Sequence, residues 1–133
     1  MTPEIRDHCP LLQVFDMPKS LGFYRDLLGF EVVQQAPSAG DCDWALLRRG
    51  EIELILNTMY EASDRPPAPD PARIAAHGDT ALFLSSSDVD GIYAYLQMKG
   101  LDMKEPVVRD YGMKQLWQKD PDGYSICFQW PAS

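Results

Sequence analysis

Long apolar runs, basic residues and cysteines are all scarce in this sequence, and each scarcity excludes a class of protein. No apolar run approaches the ~18 residues that a membrane span needs, and residues 1–10 lack the apolar core of a signal peptide. The 12 Lys and Arg are outnumbered by 20 Asp and Glu, which gives a formal net charge of -8. We therefore predict a cytoplasmic protein with no membrane and no nucleic-acid partner, whose acidic surface is compatible with a cationic ligand.

The three cysteines, Cys9, Cys42 and Cys127, form no Cys-x-x-Cys motif. A sparse, odd-numbered set does not predict a disulfide framework, so we expect reduced thiols. The composition, 45% apolar and 24% charged, is that of an ordinary globular protein. With 133 residues the chain is long enough for one domain with a real core but short for two. We predict a single domain over residues 1–133.

The two halves of the sequence follow the same pattern. Each opens with a short apolar run (11–15 and 81–85), and each run is followed by an amphipathic helix that begins at an aspartate, Asp16 or Asp88. The helical spacing predicts two apolar stripes. They consist of Leu21, Tyr24 and Leu28 in the first helix and of Val89, Ile92, Tyr93 and Leu96 in the second.

Three strands are predicted after each helix, over 30–35, 44–49 and 51–57 and over 105–110, 113–119 and 124–130. The chain thus predicts an α+β fold made of two β-α-β-β-β modules, 9–57 and 80–131. Residues 58–79 between them are rich in proline and predict either a plain linker or a lid over a pocket, with a short helix over 71–76.

Two stretches carry a resemblance to a known superfamily: "VFDMPKSLGFYRDLLGFEVV" in the first module and "DPDGYSICF" at the end of the second. Together they resemble the vicinal-oxygen-chelate proteins, which include glyoxalase I, bleomycin-resistance proteins, fosfomycin-resistance enzymes and extradiol dioxygenases. The resemblance implies that each module curls its sheet into a half-barrel and that paired half-barrels enclose a pocket. It also implies a homodimer.

Metal enzymes of this superfamily carry His, Glu, His and Glu on the first, fourth, fifth and eighth strands. The resemblance places Cys9, Glu53, Ala81 and Cys127 at these positions, so three of the four differ from the pattern. A hard divalent ion is poorly served by these side chains, and we expect no cofactor and no standard metal centre. The alternatives are His8 brought in by a β-bulge, Thr80 brought in by a slipped register, or a soft divalent metal such as Zn²⁺ held by Cys9, Glu53 and Cys127. Otherwise the cysteines are small buried apolar residues.

Strand parity predicts a pocket wall of aromatic and amide side chains with one acid and one base. Its aromatic members either stack on a ligand or fill the half-barrels as core, and Arg48 and Glu53 either face the ligand or form a cross-strand ion pair. Glu53 is the one candidate general base, since a carboxylate enclosed by aromatic residues is a stronger base. The predicted ligand-binding residues are Gln13, Trp44, Arg48, Glu53, Phe83, Tyr111, Gln115, Trp117, Cys127 and Gln129.

The sequence favours non-covalent binding of a small planar or cationic organic molecule, as in the drug-sequestering bleomycin-resistance proteins that confer antibiotic resistance. Turnover is not expected, because the metal-ligand pattern is broken. The alternative function is a divergent metal-dependent lyase or isomerase of glyoxalase type, using Glu53 with cysteine ligands or a residue of a partner chain. A carrier or regulatory module without turnover is the third possibility.

Overall fold

The computed structural model describes all 133 residues, which form two compact units, Met1–Pro67 and Ala68–Ser133. The first unit contains one helix and a four-stranded sheet in the order β1-β4-β3-β2, in which β1 runs parallel to β4 and the other pairs are antiparallel. Its elements are β1 Leu11–Gln13, α1 Met17–Leu21 with a π-helical continuation Gly22–Leu27, β2 Glu31–Ala36, β3 Trp44–Arg49 and β4 Ile52–Asn57.

The second unit repeats this arrangement with the order β5-β8-β7-β6, and β5 runs parallel to β8. Its elements are α2 Pro71–His77, β5 Ala81–Ser85, α3 Val89–Met98, β6 Val107–Val108, β7 Met113–Lys119 and β8 Ser125–Pro131. The predicted α+β fold with two β-α-β-β-β modules is confirmed.

Both predicted helix starts are capped by their aspartates. The Asp16 carboxylate accepts a hydrogen bond from the Lys19 backbone N–H at 3.2 Å, and the Asp88 carboxylate accepts one from the Gly91 N–H at 3.0 Å. Each bond satisfies one of the backbone donors that a helix leaves unpaired at its N-terminus. In both halves of the chain, an aspartate cap therefore fixes where the helix begins.

The first helix departs from the regular α-helix that its sequence predicts. After Leu21 its backbone hydrogen bonds join residues five positions apart instead of four. The Leu28 N–H, for example, donates to the Phe23 carbonyl at 3.0 Å. Such π-helical turns are wider than α-helical ones and shift the side chains around the axis. The apolar stripe of Leu21, Tyr24 and Leu28 is nevertheless buried as predicted.

Alternating strand residues separate each sheet into a helix-covered face and a second face. The covered faces are mainly apolar and form the two cores. In the first unit they contain Leu12, Val14, Ala45, Leu47, Leu54 and Leu56, and in the second Leu116, Ile126 and Phe128 beneath Val89 and Leu96 of α3.

Two local predictions were wrong. The strand predicted over 105–110 is only Val107–Val108, and Tyr111, predicted from strand parity as a wall residue, lies in the turn that follows. Gly112 has a positive φ of +88° there, which ends the extended conformation before β7 begins. Ile52 shares the face of Leu54 and Leu56 but is 37% exposed, because it is the first residue of its strand.

The short helix predicted over 71–76 is present as α2, and it packs within the second unit. His77 stacks on Tyr124 with ring centroids 4.1 Å apart, and its Nδ1 lies 2.7 Å from the carbonyl oxygen of Asp122. These contacts attach α2 to the turn between β7 and β8. No helix in the structure has both the length and the apolar character to cross a membrane.

Candidate functional site

The second face of each sheet carries the predicted wall residues, and we call it the site face. In the first sheet the strand register aligns Trp44 with Asn57 and Arg48 with Glu53. In the second sheet it aligns Cys127 with both Phe83 and Trp117. Directly paired residues point to the same side of a sheet, so the predicted parity holds on both sheets.

On the first sheet the polar side chains bind each other. The Asn57 amide donates a hydrogen bond to Oε1 of Gln13 at 3.1 Å across the parallel pair β1 and β4. Both residues are partly buried beside Trp44. This part of the site face therefore offers one half-buried indole next to two amides that hold each other in place.

Arg48 and Glu53 form a cross-strand ion pair, one of the two arrangements that the sequence allowed. Nη2 and Nε of Arg48 lie 2.6 Å and 3.0 Å from the same Glu53 oxygen, Oε2. Both side chains are partly exposed to solvent. Glu53 is thus partly exposed and paired with a cation, so the enclosed carboxylate expected of a general base is not formed.

Cys9 lies near Glu53 but precedes the first strand, which begins at Leu11. Its side chain is exposed, and a small loss of solvation together with the negative charge of Glu53 raises the pKa of its thiol. A raised pKa keeps the thiol protonated at neutral pH, whereas a metal ligand must be the thiolate.

The second sheet holds an aromatic pair above a buried thiol. The rings of Phe83 and Trp117 contact each other edge to face, with centroids 5.4 Å apart and planes at 89°. Neighbouring strands lie about 4.8 Å apart, and β5 and β7 are separated by β8. Rings from these two strands can therefore touch only if both side chains bend towards β8 and cover Cys127. Cys127 is accordingly 0% exposed, and burial raises the pKa of its thiol, which the charge of Arg109 partly opposes.

The amides on this sheet form a network around Gln115, which is 3% exposed. Its Oε1 accepts hydrogen bonds from Nε1 of Trp117 and from Nε of Arg109, both at 3.2 Å. Its Nε2 donates to Oε1 of Gln129 at 2.9 Å. The buried amide is therefore satisfied within the sheet, and it fixes the indole of Trp117.

Arg109 is a member of this network that was not among the predicted site residues. Its backbone N–H donates to the Met113 carbonyl at 2.8 Å, and its carbonyl accepts from the Gly112 N–H at 2.9 Å. These bonds bring the arginine back over the site face after β6 ends. The alternation of side chains along a strand could have identified Arg109. Residue 109 is two positions after Val107, which pairs with Gln115, so both are expected on the site face. Tyr111 makes no ring contact with the other site-face aromatics and is largely exposed.

The donors at the superfamily's four ligand positions do not fit a hard metal centre. Glu53 is bound by Arg48, Ala81 has no donor atom, and Cys127 lies protonated beneath two rings. No group of three or more His, Cys, Asp or Glu side chains in the structure could hold a metal ion. The chemistry that the site faces can support is stacking, hydrogen bonding and charge pairing.

A separate cleft of about 370 Å³ lies in the first unit, between the loop after β2 and the start of the proline-rich segment. Tyr60 and Cys42 contribute to its wall, and Asp41, Asp43 and Glu61 make it acidic. Arg65, also in the wall, pairs with Asp16 at 3.5 Å. None of the predicted wall residues lines this cleft.

Several solved structures share the fold over almost the whole chain at low sequence identity. A bleomycin-binding protein complexed with bleomycin is 21% identical with a TM-score of 0.67, over 94% of this chain and 98% of that chain. A bleomycin resistance determinant encoded on transposon Tn5 is 20% identical with a TM-score of 0.69, over 97% and 100%. A lactoylglutathione lyase from Agrobacterium tumefaciens is 17% identical with a TM-score of 0.67, over 95% and 94%.

These likenesses establish the fold and leave the ligand open, because binders and a lyase share it. Among the curated proteins, no significant match to the chain is found. A sequence model of one family, however, matches residues 6–128, nearly the entire chain. The protein therefore belongs to the glyoxalase/bleomycin resistance protein/dioxygenase superfamily.

Proposed function

We propose that this protein binds a small, partly planar organic molecule without turning it over, in the manner of drug sequestration and without a standard metal centre. The observation that carries the proposal is the site face of the second sheet. There Phe83 is 52% and Trp117 39% exposed, while the amides behind them are buried or partly buried and hydrogen-bonded. Exposed, oriented rings next to fixed amides are the features that planar ligands use for stacking and orientation.

The first sheet supports the same function. Trp44 is half-buried beside the bonded pair Gln13 and Asn57, and the charges of Arg48 and Glu53 neutralise each other. A face with one aromatic surface, fixed amides and no unpaired acid favours binding over acid–base chemistry. On the second sheet, Phe83, Gln115, Trp117 and Gln129 are the ligand contacts in this proposal, and Cys127 supports the rings from below. On the first sheet, taken by itself, the contact residues are Gln13, Trp44 and Arg48.

The experiment is a thermal unfolding series on the purified protein with three planar probes of different charge: proflavine (cationic), 2-naphthamide (neutral) and 2-naphthoate (anionic). Cyclohexanecarboxamide serves as the non-planar control. A probe present at ten times its Kd is expected to raise the Tm by about 4 °C, since it binds the native state only. Equal Tm values with and without all three planar probes would refute the proposal.

A divergent metal-dependent lyase is the second candidate, and the observation in its favour is that Cys9 lies within electrostatic reach of Glu53. Metal analysis of protein purified without added metal distinguishes the two functions. The lyase requires stoichiometric metal that is lost in Cys9→Ala, and the binding function requires none. We also propose a homodimer, which light scattering on the eluting protein tests directly: a molar mass near the 15.0 kDa of one chain would contradict it.

A further inference from the structure

We propose that the site face of the second sheet takes its planar ligand through an anionic group, with Arg109 as the counter-ion. The ligand class is an aromatic carboxylate whose ring stacks on Trp117 and Phe83. This inference rests on the proposed function and narrows it. It is independent of the overall charge of -8, because the sign of the charge at a binding face is set by the groups that lie there.

The first step is the absence of a carboxylate partner for Arg109. Four other arginines pair with an Asp or Glu: Arg6 with Glu4, Arg25 with Asp26, Arg48 with Glu53 and Arg65 with Asp16. Arg109 forms no ion pair in the chain, although acidic residues are abundant and Asp110 is its neighbour in sequence. Its positive charge is therefore not neutralised on the site face.

The second step is that the guanidinium is held in place while most of its donors remain available. Its Nε donates to Gln115 and the backbone of Arg109 is bonded at both ends of the turn. The two Nη groups make no hydrogen bond within the protein. An arginine fixed through Nε presents these remaining donors as a planar fork, the geometry that binds a carboxylate.

The third step is the distance between the charge and the rings. Nε of Arg109 and Nε1 of Trp117 both lie 3.2 Å from the same oxygen, Oε1 of Gln115, so the two nitrogens are no more than twice that distance apart. The charge also reaches the thiol beneath the rings, since it lowers the pKa of Cys127 against the larger effect of burial. A carboxylate attached directly to an aromatic ring matches this spacing.

The test is calorimetric titration of the full chain, at low ionic strength, with 2-naphthoate, 2-naphthamide and 2-naphthamidine, which share one ring system and differ in charge. We expect naphthoate to bind about fivefold tighter than the amide, the factor that one partly exposed charge pair gives, and the amidine to bind weakest. Added salt should shrink the preference. Arg109→Gln, which keeps N–H donors for Gln115, should abolish it.

Arg25→Gln is the matched control, because it removes one positive charge from the first unit and should leave the preference intact. If naphthoate and naphthamide bind equally, if the amidine binds best, or if Arg25→Gln removes the preference as well, the anion inference is wrong while the proposed planar binding stands. If none of the three compounds binds, both are wrong.

Discussion

Phe83 and Trp117, on the two strands that flank β8, meet edge to face with ring centroids 5.4 Å apart over Cys127. The thiol lies on the site face by register and yet is fully buried. The superfamily resemblance implies a metal-binding carboxylate at this position; here two rings cover it. The same contact therefore removes the position from metal chemistry and creates an aromatic surface.

The ring pair predicts a specific pattern of thiol reactivity. In the native protein iodoacetamide should modify the exposed Cys9 and leave Cys127 unmodified, because alkylation needs an accessible thiolate. Phe83→Ala should speed the modification of Cys127 several-fold, as measured by mass spectrometry of the Cys127 peptide over time. Trp130→Ala, on the opposite face of the same sheet, should leave the rate of Cys127 modification unchanged. An equal acceleration in that variant would contradict the conclusion that the Phe83 ring covers the thiol.

The raised pKa of Cys127 predicts how stability depends on pH. The folded state binds the thiol proton more tightly than the unfolded state. The contribution of the protonated thiol to the free energy of unfolding is therefore complete below the ordinary thiol pKa near 9, and it is lost as the pH rises towards the pKa of the folded state. Urea unfolding of the wild type should therefore show an extra loss of stability above pH 9 relative to Cys127→Ala. Parallel pH profiles for the two proteins would show that the thiol is not desolvated.

The Gln115 network predicts a large effect at one amide and a small one at another. Gln115→Leu should lower the free energy of unfolding by about 1–3 kcal/mol, because it removes a buried amide and leaves the partly buried hydrogen-bonding groups of Gln129 and Trp117 without their partner. Gln118→Leu, on the other face of β7 and bonded only to the neighbouring Lys119 carbonyl, should cost less than about 0.5 kcal/mol. Chemical denaturation of both variants measures the difference, and equal losses would count against the network.

The turn that joins β7 to β8 predicts a strict requirement for glycine at position 123. Gly123 has φ +87°, and a Cβ there would lie 2.5 Å from the backbone oxygen of Ile74 in α2. Gly123→Ala should cost about 2–4 kcal/mol, since backbone strain and a clash with α2 add together. Gly40→Ala shares the positive φ but meets nothing within 4 Å, and it should cost only about 1 kcal/mol. Equal costs would mean that α2 does not pack on the turn.

Much of the fold could be predicted because its determinants are local. Asp16 and Asp88 cap their helices through bonds to residues three positions away, and the alternation along β3 and β4 assigns each side chain to a face without knowledge of the partner strand. The order of the strands within each sheet was not predicted, because it depends on pairing between residues distant in sequence. The π-helical turn was missed because its spacing differs from an α-helix by only one residue per hydrogen bond.

The candidate site was predictable only in part, since its chemistry depends on contacts between distant residues. Parity placed Phe83, Trp117 and Cys127 on one face, but only the register shows that the two rings flank the thiol. Parity alone could have assigned Arg109 to the face of Val107, but its bond to Gln115 also depends on the turn that follows β6. Whether Arg48 and Glu53 face a ligand or each other depends on side-chain conformations that the sequence pattern leaves open.

The most direct test of planar-ligand binding is the dissociation constant of the best-bound naphthalene probe, measured calorimetrically for the wild type, Trp117→Ala and Trp130→Ala. The two tryptophans are on the same sheet and similarly exposed, at 39% and 45%, but on opposite faces. We predict that Trp117→Ala weakens binding about tenfold, as loss of a stacking ring does, and that Trp130→Ala binds like the wild type. Unchanged affinity in Trp117→Ala, or an equal loss in Trp130→Ala, would contradict the assignment of the site face.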